Sequence, residues 1–144
     1  MSDSDVLFVY GTLLSDIPSS MSKFLRRRAS LLGRGTTAGR LIDLGGYPGF
    51  LLGVGTTRGE VYRIHPDRAE ETWQLLDAYE GVSGLPTEEY RRDSIEVDLT
   101  DGGTLRAHTY VYQQAPGTRP VIQGGDYPPF YLTNPAHRKF TGND

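Results

Sequence analysis

Asp77 and Glu80 stand three residues apart at the end of a segment with helical periodicity, so both carboxylates fall on one helix face. The dipole of a helix end is already negative, and further acids there are unfavourable. Such locally broken rules often mark functional sites. Burial and a like-charged neighbour would each raise a carboxyl pKa toward values suited to proton transfer. Glu80 is therefore a candidate acid/base, the bland alternative being a solvated helix end. A second candidate is Tyr10-Gly11-Thr12-Leu13, at the end of an apolar run. A strand ending in a glycine turn can present successive backbone N–H groups, which bind carboxylates and stabilise oxyanions. Thr12 adds a hydroxyl, and Gly11 suits unusual backbone angles and close ligand approach. The same four residues also read as a plain strand-to-helix turn.

Other chemistries fail on residue type or spacing. With no cysteine there are no disulfides, thiolate metal sites or cysteine nucleophiles. His65, His108 and His137 are too scattered for a zinc site, so no metal is expected. Gly81-Val82-Ser83-Gly84-Leu85 lacks the closing glycine of a serine-hydrolase elbow. Two G-x-G-T-T segments have neither the spacing of a dinucleotide fingerprint nor a P-loop lysine. The formal net charge of −3 offers no field for nucleic acid. Arg26, Arg27 and Arg28, the single basic run, read as a solvated helix end complementing the dipole.

The elements that must position these residues follow from periodicity. Val6 to Tyr10 is a β-branched and aromatic run, a buried central strand stopped by Gly11. Ile17 to Arg28 carries Ile17, Met21, Phe24 and Leu25 at helical spacing. Leu31–Gly39 and Leu51–Gly59 echo each other twenty residues apart, each leading into an extended segment, Arg40–Leu44 and Glu60–Ile64. They read as similar strands of one curved sheet with glycines at bends or bulges, separated by the loop Gly45-Gly46-Tyr47-Pro48-Gly49. Pro66 opens the best helix, with Ala69, Trp73, Leu76 and Tyr79 as its buried stripe and Gly81 as its left-handed stop. Ile95, Val97 and Leu99 alternate into the turn Asp101-Gly102-Gly103, and Leu105 to Tyr112 returns as a hairpin partner. From Ala115 to Asp144 the chain reads as loop, Pro128-Pro129 excluding regular structure and the end frayed.

No composition break divides the 144 residues, so 1–144 is expected to be a single domain. Strands outnumber helices without βαβ alternation, which indicates α+β: a mixed, strongly curved or barrel-like sheet with helices at one side. Apolar runs are too short to cross a bilayer, and Met1-Ser2-Asp3-Ser4-Asp5 has neither the basic nor the apolar part of a secretory signal. A cysteine-free chain suits a reducing cytoplasm.

Taken in order, several segments resemble the γ-glutamylcyclotransferase-like family, which includes the plant avirulence-induced proteins. They are Val6 to Leu13, Gly46-Tyr47-Pro48-Gly49, Gly59-Glu60-Val61-Tyr62, Leu76-Asp77-Ala78-Tyr79-Glu80-Gly81 and Tyr90-Arg91-Arg92, with Val111-Tyr112 and Gly125-Asp126-Tyr127 as looser matches. The resemblance implies a small mixed β-barrel flanked by helices. It implies a γ-glutamyl amide as substrate, 5-oxoproline as product and no cofactor. It assigns Glu80 as the acid/base and gives Tyr10, Gly11, Thr12 and Leu13 the α-carboxylate or neighbouring polar atoms of the glutamyl group. Tyr47 and Tyr90 fall in its pocket-forming segments. Relatives often have tryptophan where this chain has Tyr127, which puts a contact by that residue in doubt. Some members have no demonstrated activity, so the rival reading is a non-catalytic γ-glutamyl-binding module of the same fold. The leaving amine and the oligomeric state are not readable from the sequence.

Overall fold

The computed structural model describes residues 5–142. Five strands close into one mixed barrel in the order β1-β3-β2-β4-β5: β1 (Val6–Val9), β2 (Ala29–Asp43), β3 (Pro48–Ile64), β4 (Tyr90–Leu99) and β5 (Thr104–Tyr112). The barrel closes because β1 pairs antiparallel with β3, Val6 opposite Arg63, and parallel with β5 through Leu7 and His108. All four β1 residues are buried, as a strand central to a closed sheet requires. Leu7, Leu41, Phe50, Val61, Val97 and Ala107 are fully buried in the core. Each large side chain among them contributes roughly 1.5–3 kcal/mol through loss of apolar surface from water.

The two echoed segments pair with each other, Gly35 opposite Gly59 and Thr37 opposite Thr57. Both strands run through the glycine-rich stretches, so they are far longer than the expected Arg40–Leu44 and Glu60–Ile64. The glycines do mark irregularities: the β2–β3 register shifts between Leu31 and Gly33 and between Ala38 and Arg40. The β4–β5 hairpin forms as expected, with Ile95 opposite Ala107.

The first helix, α1 (Ser20–Arg28), begins later than Ile17. Ser19 accepts from the Ser22 N–H and fixes the start, while Ile17 is buried in the preceding turn. The arginine run forms the last turn of α1, with Arg26 and Arg27 exposed. After a 3-10 turn over Pro66–Arg68, α2 (Ala69–Glu80) buries Trp73 and Leu76. Gly81 ends it at φ 71°, where only glycine sits without strain. Tyr79 departs from the expected stripe: it is 37% exposed and turns its hydroxyl to Thr12.

The C-terminal segment corrects the expected loop. It contains α3 (Tyr127–Leu132) and α4 (Pro135–Phe140). Pro128 and Pro129 lie in the first turn of α3, where backbone N–H groups have no helical partner and proline removes nothing. Asn134 caps α4 by accepting from the His137 N–H. The expected frayed end, Asn143-Asp144, lies outside the described residues. Among the described residues no helix is long and apolar enough to cross a membrane.

Candidate active site

The end of β1, the C-terminus of α2, the β2–β3 turn and the start of β4 converge on a cavity of about 270 Å³. Tyr10, Gly11, Thr12, Leu13, Glu80, Tyr47 and Tyr90 all line it. The sequence candidates are therefore brought together. Tyr127 is not among the lining residues: it is fully buried, hydrogen bonded to His137 Nδ1 at 2.6 Å.

The Tyr10–Leu13 loop is held from behind. Gly11 C=O accepts from the Leu14 N–H at 3.0 Å, and Thr12 C=O accepts from Ser19 Oγ at 2.6 Å. In trans peptides the next N–H points opposite to the carbonyl, so the Thr12 and Leu13 N–H groups face away from these partners. Among the described residues, nothing accepts a hydrogen bond from the N–H of Gly11, Thr12 or Leu13. A buried donor left unpaired costs about 1–3 kcal/mol, so three of them beside a cavity are poised for an anionic or carbonyl oxygen. Glu60 anchors the far end of the loop: although only 4% exposed, it accepts from the Ser15 N–H at 2.8 Å, from Ser15 Oγ and from the Tyr62 hydroxyl at 3.0 Å. Gly11 does not have a positive φ, contrary to the unusual backbone expected from its sequence. It is required for space instead, because a Cβ there would stand 2.6 Å from Pro48 Cγ.

Glu80 is the last residue of α2 and partly accessible from the cavity. Its carboxyl receives no hydrogen bond among the described residues. Burial, then the nearby Glu89 and then Asp77, push its pKa up to about 8. Asp77 on the same face is engaged, accepting from the Tyr110 hydroxyl at 2.7 Å and pairing with Arg92 at 3.4 Å. The two acids named by spacing alone thus differ: one is occupied and the other is free to exchange a proton.

Neutral tyrosines surround the carboxyl, with their hydroxyls donating elsewhere. Tyr10 bonds to the Tyr110 carbonyl at 2.7 Å and Tyr90 to the Pro48 carbonyl at 2.6 Å. Burial first, with nearby negative groups after it, raises the hydroxyl pKa of Tyr10, Tyr47 and Tyr90. Sequence reasoning missed Glu89, Tyr110 and Phe140 as lining residues and misplaced Tyr79. None carries a local signal, since each reaches the cavity only through the fold. No group of three or more metal-ligating side chains occurs among the described residues.

Residues 7–129 match the family model described as gamma-glutamyl cyclotransferase, AIG2-like. The gamma-glutamylcyclotransferase family protein YtfP of Escherichia coli K12 is 38% identical over 122 residues, covering 84% of this chain and 94% of that protein. The solution structure of Escherichia coli YtfP superposes with a TM-score of 0.56 and 34% identity, over 85% of this chain and 95% of that one. An AIG2-like protein from Mus musculus shares the fold at a TM-score of 0.67 and 23% identity, over 85% and 87% of the two chains.

Proposed function

Because the chain belongs to the AIG2-like gamma-glutamyl cyclotransferase family, we propose that it releases 5-oxoproline and a free amine from a γ-glutamyl amide, with Glu80 carrying the proton. The observation that supports this most is one cavity holding a donor-free carboxyl at about 8 and the unpartnered N–H groups of Gly11, Thr12 and Leu13.

A γ-glutamyl amide carries its nucleophile within itself. Its α-amine reaches the γ-carbonyl carbon by closing a five-membered ring, so orientation and deprotonation are the main requirements. Holding the two in contact removes roughly 7–11 kcal/mol of barrier. At neutral pH the amine is an ammonium, and the ionised Glu80 takes one proton from it. The amine nitrogen then bonds to the γ-carbonyl carbon, and the carbonyl electrons move onto oxygen. Glu80 gives that proton to the departing nitrogen as the C–N bond of the amide breaks and takes the second proton from the ring nitrogen, which the released amine then carries away as an ammonium. Atoms balance without water, cofactor or metal. A carboxyl near pKa 8 suits both halves, because its proton affinity is close to that of an amine. The loop N–H groups and the Thr12 hydroxyl orient the glutamyl group or meet the developing oxyanion, while the Tyr10 and Tyr90 hydroxyls, already donating to backbone carbonyls, shape the pocket.

The experiment is incubation with a panel of γ-glutamyl amides and detection of 5-oxoproline by mass. Turnover should require a free α-amine and the γ linkage: N-acetylation removes the nucleophile, and an α-glutamyl isomer cannot form the ring at the scissile carbonyl. Equal turnover of acetylated substrates would replace cyclisation with ordinary hydrolysis.

A further inference from the structure

The family match ends at residue 129, yet one wall of the cavity comes from beyond it. Phe140, the last residue of α4, lines the cavity and packs against Tyr47 with ring centroids 4.8 Å apart. The approach depends on Gly46, where a Cβ would stand 3.2 Å from the Cβ of Phe140 and 3.3 Å from its ring. His137 pins the helix from within. It is fully buried, with Nε2 bonded to Asp43 Oδ1 at 2.6 Å and Nδ1 to the Tyr127 hydroxyl at 2.6 Å. Asp43 ends β2 beside the same turn and accepts from the Gly45 N–H at 2.8 Å. The placement of Phe140 is therefore built, through partners on β2, the Gly45–Gly46 turn and α3.

The chemistry of this wall is specific. The Tyr47 hydroxyl donates to Glu89 Oε1 at 2.5 Å, so two aromatic rings and a carboxylate meet at one side of the cavity. Both acids of the cavity, Glu80 and Glu89, belong to its lining, and no lysine, arginine or histidine does. Aromatic faces beside a carboxylate favour an ammonium and disfavour another carboxylate. Phe140 is 52% exposed, so this side opens toward solvent, where the departing amine must leave.

We propose that α4 completes a leaving-amine subsite in which Phe140, Tyr47 and Glu89 select γ-glutamyl amides whose departing amine carries a second, distal cation. This deepens the cyclotransferase reading and rests on it. Glu80 serves the reacting nitrogens, whereas Glu89 and the aromatic pair serve the far end of the amine.

The test compares three substrates of similar length: the γ-glutamyl amides of 1,4-diaminobutane and of 1-aminobutane, and γ-glutamylalanine with its carboxylate. The wild type should give kcat/KM values about tenfold higher for the diamine amide than for the butylamine amide, with γ-glutamylalanine lowest. Phe140→Ala and Glu89→Gln should each bring the first ratio close to one. Using the ratio cancels any change in the proton affinity of Glu80. Because Phe140 is half exposed, its truncation leaves the core intact. A wild-type ratio near one overturns the subsite. So does a Glu89→Gln variant that slows all three substrates equally, which would assign Glu89 to the glutamyl α-ammonium instead. If no amide yields 5-oxoproline, the cyclotransferase reading fails. The same pair titrated calorimetrically against the same proteins then decides the subsite: diamine-selective binding lost in both variants supports it, and equal binding of the two amides overturns it.

Discussion

Glu60 and Glu80 are the same residue placed to opposite ends. Glu60, on β3 behind the loop, has its carboxylate bonded to Ser15 N–H, Ser15 Oγ and the Tyr62 hydroxyl. Glu80, at the cavity, receives no hydrogen bond among the described residues and faces two further acids. A buried carboxylate that is fully bonded is architecture, because protonating it would give up acceptor bonds that hold its neighbours in place. One that is desolvated and unbonded has a pKa shifted into the range of proton transfer and pays no bonds to change state. Residue type is not the distinction, and burial does not make it either, since Glu60 is the more buried of the two. What separates structure from chemistry in this molecule is whether donors have been supplied.

That contrast is broken most severely by Glu80→Gln. Glutamine keeps the shape and cannot take the ammonium proton, so turnover should fall roughly 10²- to 10⁴-fold. Thermal melting at neutral pH should barely change or rise, since a carboxylate near Asp77 and the negative helix end is removed. Substrate affinity, measured by titration on the same preparation, should largely survive. Near wild-type turnover in a folded Glu80→Gln protein would move the base elsewhere. Asp77 is a poor replacement while Tyr110 and Arg92 hold it.

Glu60→Ala should show the reverse pattern, loss of stability ahead of loss of chemistry. It strands the Ser15 N–H and the Tyr62 hydroxyl, at a cost on the order of 3 kcal/mol in chemical denaturation. Surviving enzyme should have a raised KM, because the far end of the loop is released. An unaltered melting curve would show that Glu60 anchors nothing.

Gly11→Val sharpens the comparison at the loop itself. A β-branched side chain there meets Pro48, so the loop or the β2–β3 turn must shift. Substrate binding should weaken by about tenfold or more. A normally folded variant with unchanged kinetics would reduce Tyr10–Leu13 to a structural turn.

Much of this arrangement was legible beforehand, for identifiable reasons. The α2 helix could be read because Trp73 and Leu76 repeat at helical spacing and Gly81 closes it. The hairpin of β4 and β5 could be read because apolar residues alternate about a Gly-Gly turn. Glu80 stood out because an acid at a helix end breaks a local rule. The C-terminal helices could not be read, since Pro128-Pro129 is a breaker inside a helix and harmless in its first turn. Nor could Glu60 be told from Glu80: its partner Ser15 lies 45 residues away, and that contact exists only after the barrel closes. Phe140 reaches the cavity for the same kind of reason, through His137 and a glycine 94 residues before it in sequence.

A smaller effect follows from linkage. The folded pKa of Glu80 is raised, so its proton stabilises the fold fully below the ordinary carboxylate range, and that contribution is lost as pH rises toward about 8. The melting temperature of the wild type relative to Glu80→Gln should therefore decline between about pH 5 and pH 8. A constant difference across that window would mean that Glu80 titrates as an ordinary exposed acid.

The claim that Glu80 carries the proton is tested most directly by the pH dependence of kcat/KM in three proteins. The wild type should rise with pH and inflect near 8, where Glu80 ionises. Glu89→Gln, by removing the negative charge that raises Glu80 most after burial, should move that inflection to lower pH. Glu80→Gln should lose it. An inflection that stays in place in Glu80→Gln would belong to the substrate amine and would contradict the account.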